Sequence, residues 1–242
     1  MTEDTLRLTG ERTAPGIPSE NYWFRRHVAA YRWARRHIGR GPVLDAGAGE
    51  GYGAALLARR GPVIALELDA SATEHLGRRS PDVPVIRADC CQLPVTDASL
   101  DAVVALQVIE HLHCAEGFVE ACARALRPDG RLILSTPNRA TFPGGLNPFH
   151  THEYVAAELE GLLGTAFRDV RVLGLVHRGP LRLLDRALRE PIQHRLVRDG
   201  YEGVPAWTRA MLRTVTSRDF RPTADADPAL DLLALATGTI EG

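Results

Sequence analysis

The stretch VLDAGAGEGYG (43–53) combines a short apolar run with glycines on alternate residues, at Gly47, Gly49, Gly51 and Gly53. The apolar run is typical of a buried strand, and the glycines predict a turn from which a helix begins. Glycine allows a ligand to approach the backbone closely, and the N–H groups at the start of a helix favour an anion. This segment therefore predicts a ligand site between a strand and a helix.

Outward from this segment, short apolar runs alternate with helical patterns. Strands are predicted at 42–47, 63–68, 83–89, 100–107 and 131–137, and helices at 51–60, 71–79 and 115–126. This alternation is typical of βαβ units and of a parallel sheet with helices on both faces. We therefore expect an α/β fold with a seven-stranded, mostly parallel, Rossmann-like sheet.

The pattern changes on either side of this core. An N-terminal arm leads into a helix that is predicted from residue 19. After the core, the sequence predicts a helix at 151–164, a strand at 169–177, one helix near 180–198 and a strand at 229–237. The last two strands would form an antiparallel pair. The Arg-rich insertion between them would lie over the site or at a subunit contact, or would be a solvated helical excursion without a role.

The length of 242 residues fits a single domain. We divide it into an N-terminal arm and helix (1–40), a ligand-binding core (41–177), an insertion (178–226) and a last strand (227–242).

Charge and composition exclude several classes of partner and location. The formal net charge of -1 does not support a nucleic-acid-binding surface. No apolar run approaches the roughly 20 residues of a membrane span, and the polar N-terminus lacks the apolar core of a signal peptide. The four cysteines, Cys90, Cys91, Cys114 and Cys122, form no C-x-x-C pair, and we expect reduced thiols in a cytoplasmic protein.

The glycine spacing distinguishes between nucleotide ligands. A dinucleotide site has the pattern G-x-G-x-x-G, which requires Gly or Ala where this chain has Tyr52. The alternate glycines after Asp45 instead resemble the first motif of the class I S-adenosylmethionine-dependent methyltransferases. The segment ALRPDGRLILSTPN (125–138) is similar to the turn and fifth strand of the same family. The resemblance covers roughly 40–140 and the last strand.

This resemblance implies a site for S-adenosylmethionine at the carboxyl ends of the first strands. Glu67 ends the second strand, where an acid can accept hydrogen bonds from both ribose hydroxyls. Asp89 would lie near the adenine amine, or would cap a turn. Asp45 would hold the methionine amine directly or through water, or would bond its own loop. The implied cofactor residues are Asp45, Gly47, Gly49, Glu67, Leu68, Asp89, Cys90 and Gln107.

The segment LQVIEHLH (106–113) follows the fourth strand. It resembles the quinone-biosynthesis O-methyltransferases, whose Glu-x-x-Glu-His binds a divalent cation, although Gln107 stands in place of the first Glu. Residues at i, i+3 and i+4 share one helix face, so Gln107, Glu110 and His111 would point into one site. The resemblance implies Mg²⁺ on Glu110 and His111, or these residues only cap and orient the local backbone. The Asn/Asp-Pro-Pro-Tyr type motif of nucleic-acid amino-methyltransferases is missing, which argues against DNA as acceptor.

Two further clusters are predicted on the acceptor side. In NPFHTHEY (147–154), His150 and His152 are candidate bases because imidazole titrates near neutral pH, and His150 is preferred over His152. His150 and His111 are the candidate catalytic residues, unless His150 only begins a helix. The aromatic and arginine side chains of ENYWFRRH (20–27) would cover the cofactor or a sugar face, or would dock the helix on the sheet.

Several motifs also resemble a narrower family, the actinobacterial polysaccharide methyltransferases that methylate the reducing-end 1-hydroxyl of methylmannose polysaccharides. The motifs are LTGERT (8–13), ENYWFRRH (20–27), GEGYGA (49–54), QVIEHL (107–112), STPNR (135–139), NPFHT (147–151) and DLLALA (231–236). This resemblance implies a sugar acceptor and a magnesium requirement. The segment 178–218 departs from the pattern, which leaves another glycan open, such as the oligoglucan of mycofactocin.

Three other functions remain open at the level of sequence. A quinol or another small molecule would be methylated instead of a sugar, or the same fold would serve an NAD-dependent oxidoreductase, which the glycine spacing disfavours. A non-catalytic binding module would keep the fold without turnover. A homodimer is compatible with the sequence but is not indicated by any motif.

Overall fold

The computed structural model describes residues 13–142 and 147–240. In these ranges strands and helices alternate along the chain. The strands are β1 Val43–Ala46, β2 Val63–Glu67, β3 Val85–Arg87, β4 Leu100–Leu106, β5 Leu126–Pro137, β6 Phe167–His177, β7 Phe220–Thr223 and β8 Asp231–Thr239. The helices are α1 Asn21–His37, α2 Tyr52–Leu57, α3 Ala70–Arg79, α4 Ala115–Ala125, α5 Ala156–Gly164, α6 Gly179–Leu188, α7 Ile192–Gly203 and α8 Ala206–Thr214. Short 3₁₀ helices lie at Cys90–Gln92, Ile109–His111 and Ser217–Asp219.

The described strands form one sheet in the order β3-β2-β1-β4-β5-β8-β6-β7. β1 to β5 are parallel, while β8 pairs antiparallel with β5 and β6, and β7 pairs antiparallel with β6. The expected α/β fold with a mostly parallel sheet is confirmed. The expected number of seven strands is wrong by one, because β7 is only four residues long and contains Pro222, and is therefore too short to show a period.

The sheet separates two apolar layers. One face is covered by α1, α2, α3 and the helices of the insertion, and the other by α4 and α5. All four residues of β1 are buried, as expected for a parallel strand that is covered on both faces. Since strand order reverses between β1 and β4, the carboxyl ends of these strands open a crevice where ligands bind in such folds.

The insertion contains three helices instead of the one predicted near 180–198. α6 stops because Arg189 adopts a left-handed conformation (φ 59°) and Pro191 follows it. Gln193 donates to the carbonyl oxygen of Thr141 at 3.3 Å, and His194 contacts the same oxygen. The insertion is therefore packed on the segment that follows β5.

Helix α1 is docked on the sheet by buried polar contacts and by its aromatic side chains. The guanidinium of Arg26, 2% exposed, forms an ion pair with Asp231 at the start of β8 and donates to Gln193 Oε1 at 2.8 Å. The Tyr22 hydroxyl lies 2.8 Å from Nε2 of His177. Of the two interpretations of the 20–27 segment, the structure therefore shows docking. Residues 8–12 of the LTGERT motif lie outside the described residues.

Two of the four cysteines differ from the expectation. Cys91 and Cys114 form a disulfide with a Cα–Cα distance of 5.8 Å, whereas Cys90 and Cys122 are free and buried. The expectation of four reduced thiols is therefore wrong for this pair. The two residues are 23 positions apart, and only the packing of the Cys90–Gln92 turn against the start of α4 brings them together.

Among the helices of the described ranges, none combines the length and the apolar character that crossing a membrane requires.

Candidate active site

The glycine loop bends closely around the end of β4. Gly47, Gly49 and Gly51 all have positive φ angles, of 71°, 52° and 79°. A Cβ atom on Gly47 would lie 2.5 Å from Cγ2 of Val108, which is far inside van der Waals contact. Glycine at this position is thus required both by the left-handed backbone and by the close approach of the segment after β4.

A cavity of about 390 Å³ opens at the carboxyl ends of the strands, beside this loop. Its lining residues are Gly47, Gly49, Glu67, Leu68, Asp69, Asp89, Cys90, Gln107, Val108, His111 and Leu112. The predicted cofactor residues all lie in this wall except Asp45. The sequence pattern therefore located one continuous cavity from four separate segments of the chain.

The carboxylate of Glu67 is fixed by backbone amides. Oε2 accepts a hydrogen bond from Gly49 N–H at 2.8 Å, and Oε1 accepts from the N–H groups of Leu68 and Asp69 at 2.9 Å. Asp89 accepts from Cys91 N–H at 2.8 Å and caps the short helix there. Asp89 thus has the capping role that was one of its two interpretations, and it lines the cavity as well.

Asp45 lies in β1, two residues before Gly47, and is fully buried. Its Oδ1 accepts a hydrogen bond from the Tyr31 hydroxyl at 3.1 Å, whereas Oδ2 has no hydrogen-bond partner among the described residues. Burial raises the pKa of Asp45 to about 7, because the charged form loses its hydration, and the Tyr31 hydroxyl only partly offsets this effect. A cationic group brought near Oδ2 would favour the ionised form.

Gln107 occupies a strained position at the turn after β4. Its φ of 58° is unusual for a residue other than glycine. The side-chain amide donates to Ser135 Oγ at 3.2 Å, and the backbone N–H donates to the carbonyl oxygen of Ser135 at 2.8 Å. The side chain therefore faces β5 and lines the same cavity as His111.

A cluster of titratable side chains contains Glu110, His111 and His150. One ligand atom from each lies within 4.8 Å of the others. Glu110 is 1% exposed, and neither of its carboxylate oxygens makes a hydrogen bond of regular geometry among the described residues. Burial raises its pKa to about 8, and the nearby Thr136 hydroxyl offsets this effect only in part. A buried carboxylate with so little compensation is costly, and a proton or a cation is required to balance it.

Hydrogen bonds orient both imidazoles of this cluster. Nδ1 of His111 donates to the Phe149 carbonyl oxygen at 3.0 Å, so the lone pair of this ring is on Nε2. Nδ1 of His150 donates to Oε1 of Glu153 at 2.8 Å, and its Nε2 accepts from the Asn147 amide at 2.7 Å. The two rings meet edge to face with centroids 5.0 Å apart. In both rings Nδ1 is therefore the donor to an oxygen, and Nε2 is the second nitrogen that each ring presents.

The loop that carries His150 is attached to the segment after β4. Thr151 donates through its N–H to the carbonyl oxygen of Glu110 at 2.7 Å and through its hydroxyl to that of Leu112 at 3.0 Å. His152 points elsewhere: its side chain is 50% exposed and lies 3.5 Å from Glu158. Of the two candidate bases, only His150 belongs to the cluster.

Sequence reasoning overlooked Glu153 and Asn147. Both contact the His150 ring, and Glu153 is as buried as the imidazole that it binds. His150 and Glu153 are three positions apart, and this spacing is the one signal in the sequence that could have paired them. The structure pairs them within a loop, where such a spacing does not by itself indicate contact.

The donor set fits a divalent cation. Glu110 offers a carboxylate oxygen and His111 an imidazole nitrogen, and the charge of ionised Glu110 would be balanced by the ion. Mg²⁺ prefers oxygen ligands, so water or acceptor oxygens would complete its coordination. His111 belongs both to this cluster and to the wall of the cavity, so a cation here would lie next to a ligand in the cavity.

Comparison with known proteins agrees with this geometry. Residues 44–134 match the family model described as a methyltransferase domain. The chain is 46% identical, over 96% of its length and 95% of the other protein, to a probable S-adenosylmethionine-dependent methyltransferase of Mycolicibacterium smegmatis. It is 30% identical to a ubiquinone biosynthesis O-methyltransferase of Paracidovorax citrulli, over 57% of this chain and 65% of that protein.

The fold is also similar to that of solved structures. A Thermotoga maritima protein, described as a SAM-dependent methyltransferase and possible histamine N-methyltransferase, superposes with a TM-score of 0.66 over 90% of this chain and 91% of the other. The sequence identity is 14%, so this similarity supports the fold alone.

Proposed function

Since this chain belongs to the S-adenosylmethionine-dependent methyltransferases, we propose that it transfers the methyl group to a hydroxyl of a sugar or oligosaccharide, with Mg²⁺ at Glu110 and His111 and with His150 as the base. The methyl donor follows from the family. The acceptor atom, the sugar and the cation are proposed. The cluster of Glu110, His111 and His150 supports the acceptor atom and the cation, and sequence motifs support the sugar.

The proposed place of the cofactor is the 390 Å³ cavity. Glu67 at the end of β2 would accept hydrogen bonds from the ribose hydroxyls, and Asp89 with Cys90 would border the adenine. The methionine ammonium would approach Oδ2 of Asp45 directly or through water, and its positive charge would balance this buried carboxylate. Leu68, 59% exposed at the cavity, offers an apolar surface to the cofactor.

The observation that carries the choice of a hydroxyl acceptor is the position of the Glu110–His111–His150 cluster. An alcohol is a poor nucleophile, and its transfer step needs a base or a metal next to the oxygen. The cluster supplies both kinds of group and shares His111 with the cavity wall.

Residues of this chain would prepare the acceptor as follows. A bound divalent cation would polarise the hydroxyl and lower its pKa. Glu153 would hold His150 in one tautomer. The acceptor hydroxyl would replace the Asn147 amide at Nε2 of His150, and Nε2 would take the hydroxyl proton. The oxygen would then attack the sulfonium methyl in line, and the breaking methyl–sulfur bond would release S-adenosylhomocysteine as a neutral thioether. Positioning of the two reactants would contribute to the acceleration.

The sugar is supported by the motifs shared with the actinobacterial polysaccharide methyltransferases, which favour the 1-hydroxyl of a 3-O-methylated mannoside. The oligoglucan of mycofactocin is the other glycan candidate. A second candidate class is a quinol, which the similarity to the Paracidovorax citrulli ubiquinone biosynthesis O-methyltransferase favours.

The experiment is a methyl-transfer assay with radiolabelled S-adenosylmethionine and short 3-O-methylated mannosides, an oligoglucan and a catechol, each with and without chelator. Magnesium-dependent transfer to the mannoside is the expected result. Transfer to the catechol alone would select the quinol class, and full activity after chelation would remove the metal from the mechanism. Substitution Glu110→Gln is expected to abolish the response to Mg²⁺ while S-adenosylhomocysteine still binds.

A further inference from the structure

The disulfide between Cys91 and Cys114 joins two separate segments near the cavity. Cys91 lies in the short helix Cys90–Gln92 that follows β3, and Cys114 is the residue that precedes α4. They are 23 positions apart in the sequence. The bond therefore crosslinks two parts of the chain that no strand pairing connects directly, since β3 and β4 are not neighbours in the sheet.

Both segments supply residues of the cavity wall. Asp89 and Cys90 come immediately before Cys91, whereas His111 and Leu112 come two or three residues before Cys114. The crosslink is thus only one to three residues away from the wall on each side. Its formation or cleavage changes how rigidly the two parts of the wall are held together.

The chemical setting of the pair differs from that of the other cysteines. Cys91 and Cys114 are partly exposed, and a ring nitrogen of the exposed His113 lies within 4.8 Å of both sulfurs. Burial raises the pKa of Cys90 to about 12 and also raises that of Cys122, which keeps these two thiols unreactive.

We infer that Cys91 and Cys114 form a reversible redox site that controls the affinity for the cofactor. This inference rests on the proposal that the cavity holds S-adenosylmethionine. With a dithiol as reductant, one of its thiolates attacks a sulfur of the bond and the other cysteine leaves as a thiolate. The second thiol of the reductant then attacks the mixed disulfide, closes the reductant's own disulfide and releases the second cysteine as a thiolate. Overall the dithiol is oxidised to a disulfide, and two electrons and two protons pass to the cysteines.

The oxidised form binds the cofactor more tightly because its wall is already ordered. After reduction, the 89–92 turn and the 111–114 segment gain freedom that cofactor binding must remove again. Coupling between two sites is usually worth 5- to 150-fold in affinity. We expect reduction to weaken S-adenosylhomocysteine binding by about tenfold, within that range.

The test uses the full chain in three states: oxidised with glutathione disulfide, reduced with dithiothreitol, and as the double variant Cys91→Ser/Cys114→Ser. Alkylation and peptide mass spectrometry identify which cysteines are bonded in each sample. Calorimetric titration with S-adenosylhomocysteine, in buffer containing chelator so that no metal binds the thiols, gives the Kd. The variant is expected to bind as weakly as the reduced protein and to ignore the reductant, and Cys122→Ala is expected to keep the redox response.

Two results would overturn the inference while leaving the cofactor site intact: equal Kd values in the oxidised and reduced forms, or alkylation of both Cys91 and Cys114 after oxidation. Failure to bind S-adenosylhomocysteine in every state would instead reject the assignment of the cavity, and the inference with it.

Discussion

Nδ1 of His150 and Oε1 of Glu153 lie 2.8 Å apart, and both side chains are only 8% exposed. Replacing His150 with Ala is expected to lower the turnover number at least 100-fold, in the span usual for a lost general base. His152→Ala is the matched control, because this neighbouring imidazole is half exposed and faces Glu158. Initial rates of methyl transfer at saturating donor compare the two. Equal losses in both variants would deny His150 a special role.

Glu153→Gln tests the positioning of the same imidazole. An amide in place of the carboxylate no longer favours the tautomer with the proton on Nδ1, and comparable changes next to metal-bound histidines cost 10–100-fold. We expect a fall of about this size in kcat with little change in the KM for the donor. If KM for the donor rises while kcat is constant, Glu153 acts on cofactor binding instead.

Gly53 is predicted to be intolerant of any side chain. A Cβ atom there would lie 2.0 Å from Cζ of Tyr31, so the ring that packs α1 on α2 would have to move. Gly53→Ala should cost about 1–3 kcal/mol in the free energy of unfolding, as overpacking usually does. Gly117→Ala in α4, where the new methyl group meets open space, should stabilise by up to about 1 kcal/mol. Urea denaturation measures both, and similar midpoints would contradict the prediction.

The ion pair of Arg26 and Asp231 is buried on both sides, at 3% and 2% side-chain exposure. Arg26→Met leaves an unpaired buried carboxylate, which typically costs about 3–5 kcal/mol in stability. The double variant Arg26→Met/Asp231→Asn should recover much of this loss, since no charge then remains buried. The exposed Arg78, replaced by Ala, should leave the unfolding midpoint unchanged. A double variant as unstable as Arg26→Met would show that packing, not charge, is what is lost.

Asp45 should make stability fall as pH rises. Its pKa is about 7 in the folded chain against 3.8 for an unperturbed aspartate, so the folded state binds the extra proton between these limits. This contribution is complete below about pH 4 and is lost as pH rises through 7.

Burial of His27, whose pKa is lowered to about 4, acts in the opposite direction below pH 6.5. The difference between wild type and Asp45→Asn isolates the aspartate, and in urea titrations it should shrink or reverse from pH 4.5 to 8. A constant difference would refute the assignment.

The sequence predicted the core of the fold because its signals are local. The glycine loop, the short apolar run before it and the acid that ends β2 are each signals within a few residues, and they sufficed to locate the cavity wall. The insertion was harder, because its Arg-rich surface shows no gap between helices. Arg189, in a left-handed conformation, ends α6, and α7 begins just after Pro191. The left-handed φ of Arg189 cannot be predicted from the sequence, because the residue is not glycine.

Long-range contacts could not be predicted from spacing. His150 reaches Glu110 because Thr151 bonds the backbone at Glu110, and the two segments are 40 residues apart. Gln107 was assigned to the same face as Glu110 and His111 by helical spacing, but the turn after β4 is a single 3₁₀ turn that starts at Ile109. The disulfide was not predicted for the same reason, because the proximity of Cys91 and Cys114 depends on the packing of two segments that are distant in sequence.

β8 lies between β5 and β6 in the sheet, although it follows both in the sequence. While the ribosome is still adding the residues before Asp231, β5 and β6 each present an unpaired edge to their surroundings. Unpaired edges are templates for association with other chains, and proteins begin to fold as they are made. The nascent chain is therefore most prone to aggregation shortly before β8 leaves the ribosome. Chaperones that cover strand edges would have their largest effect at that stage of synthesis.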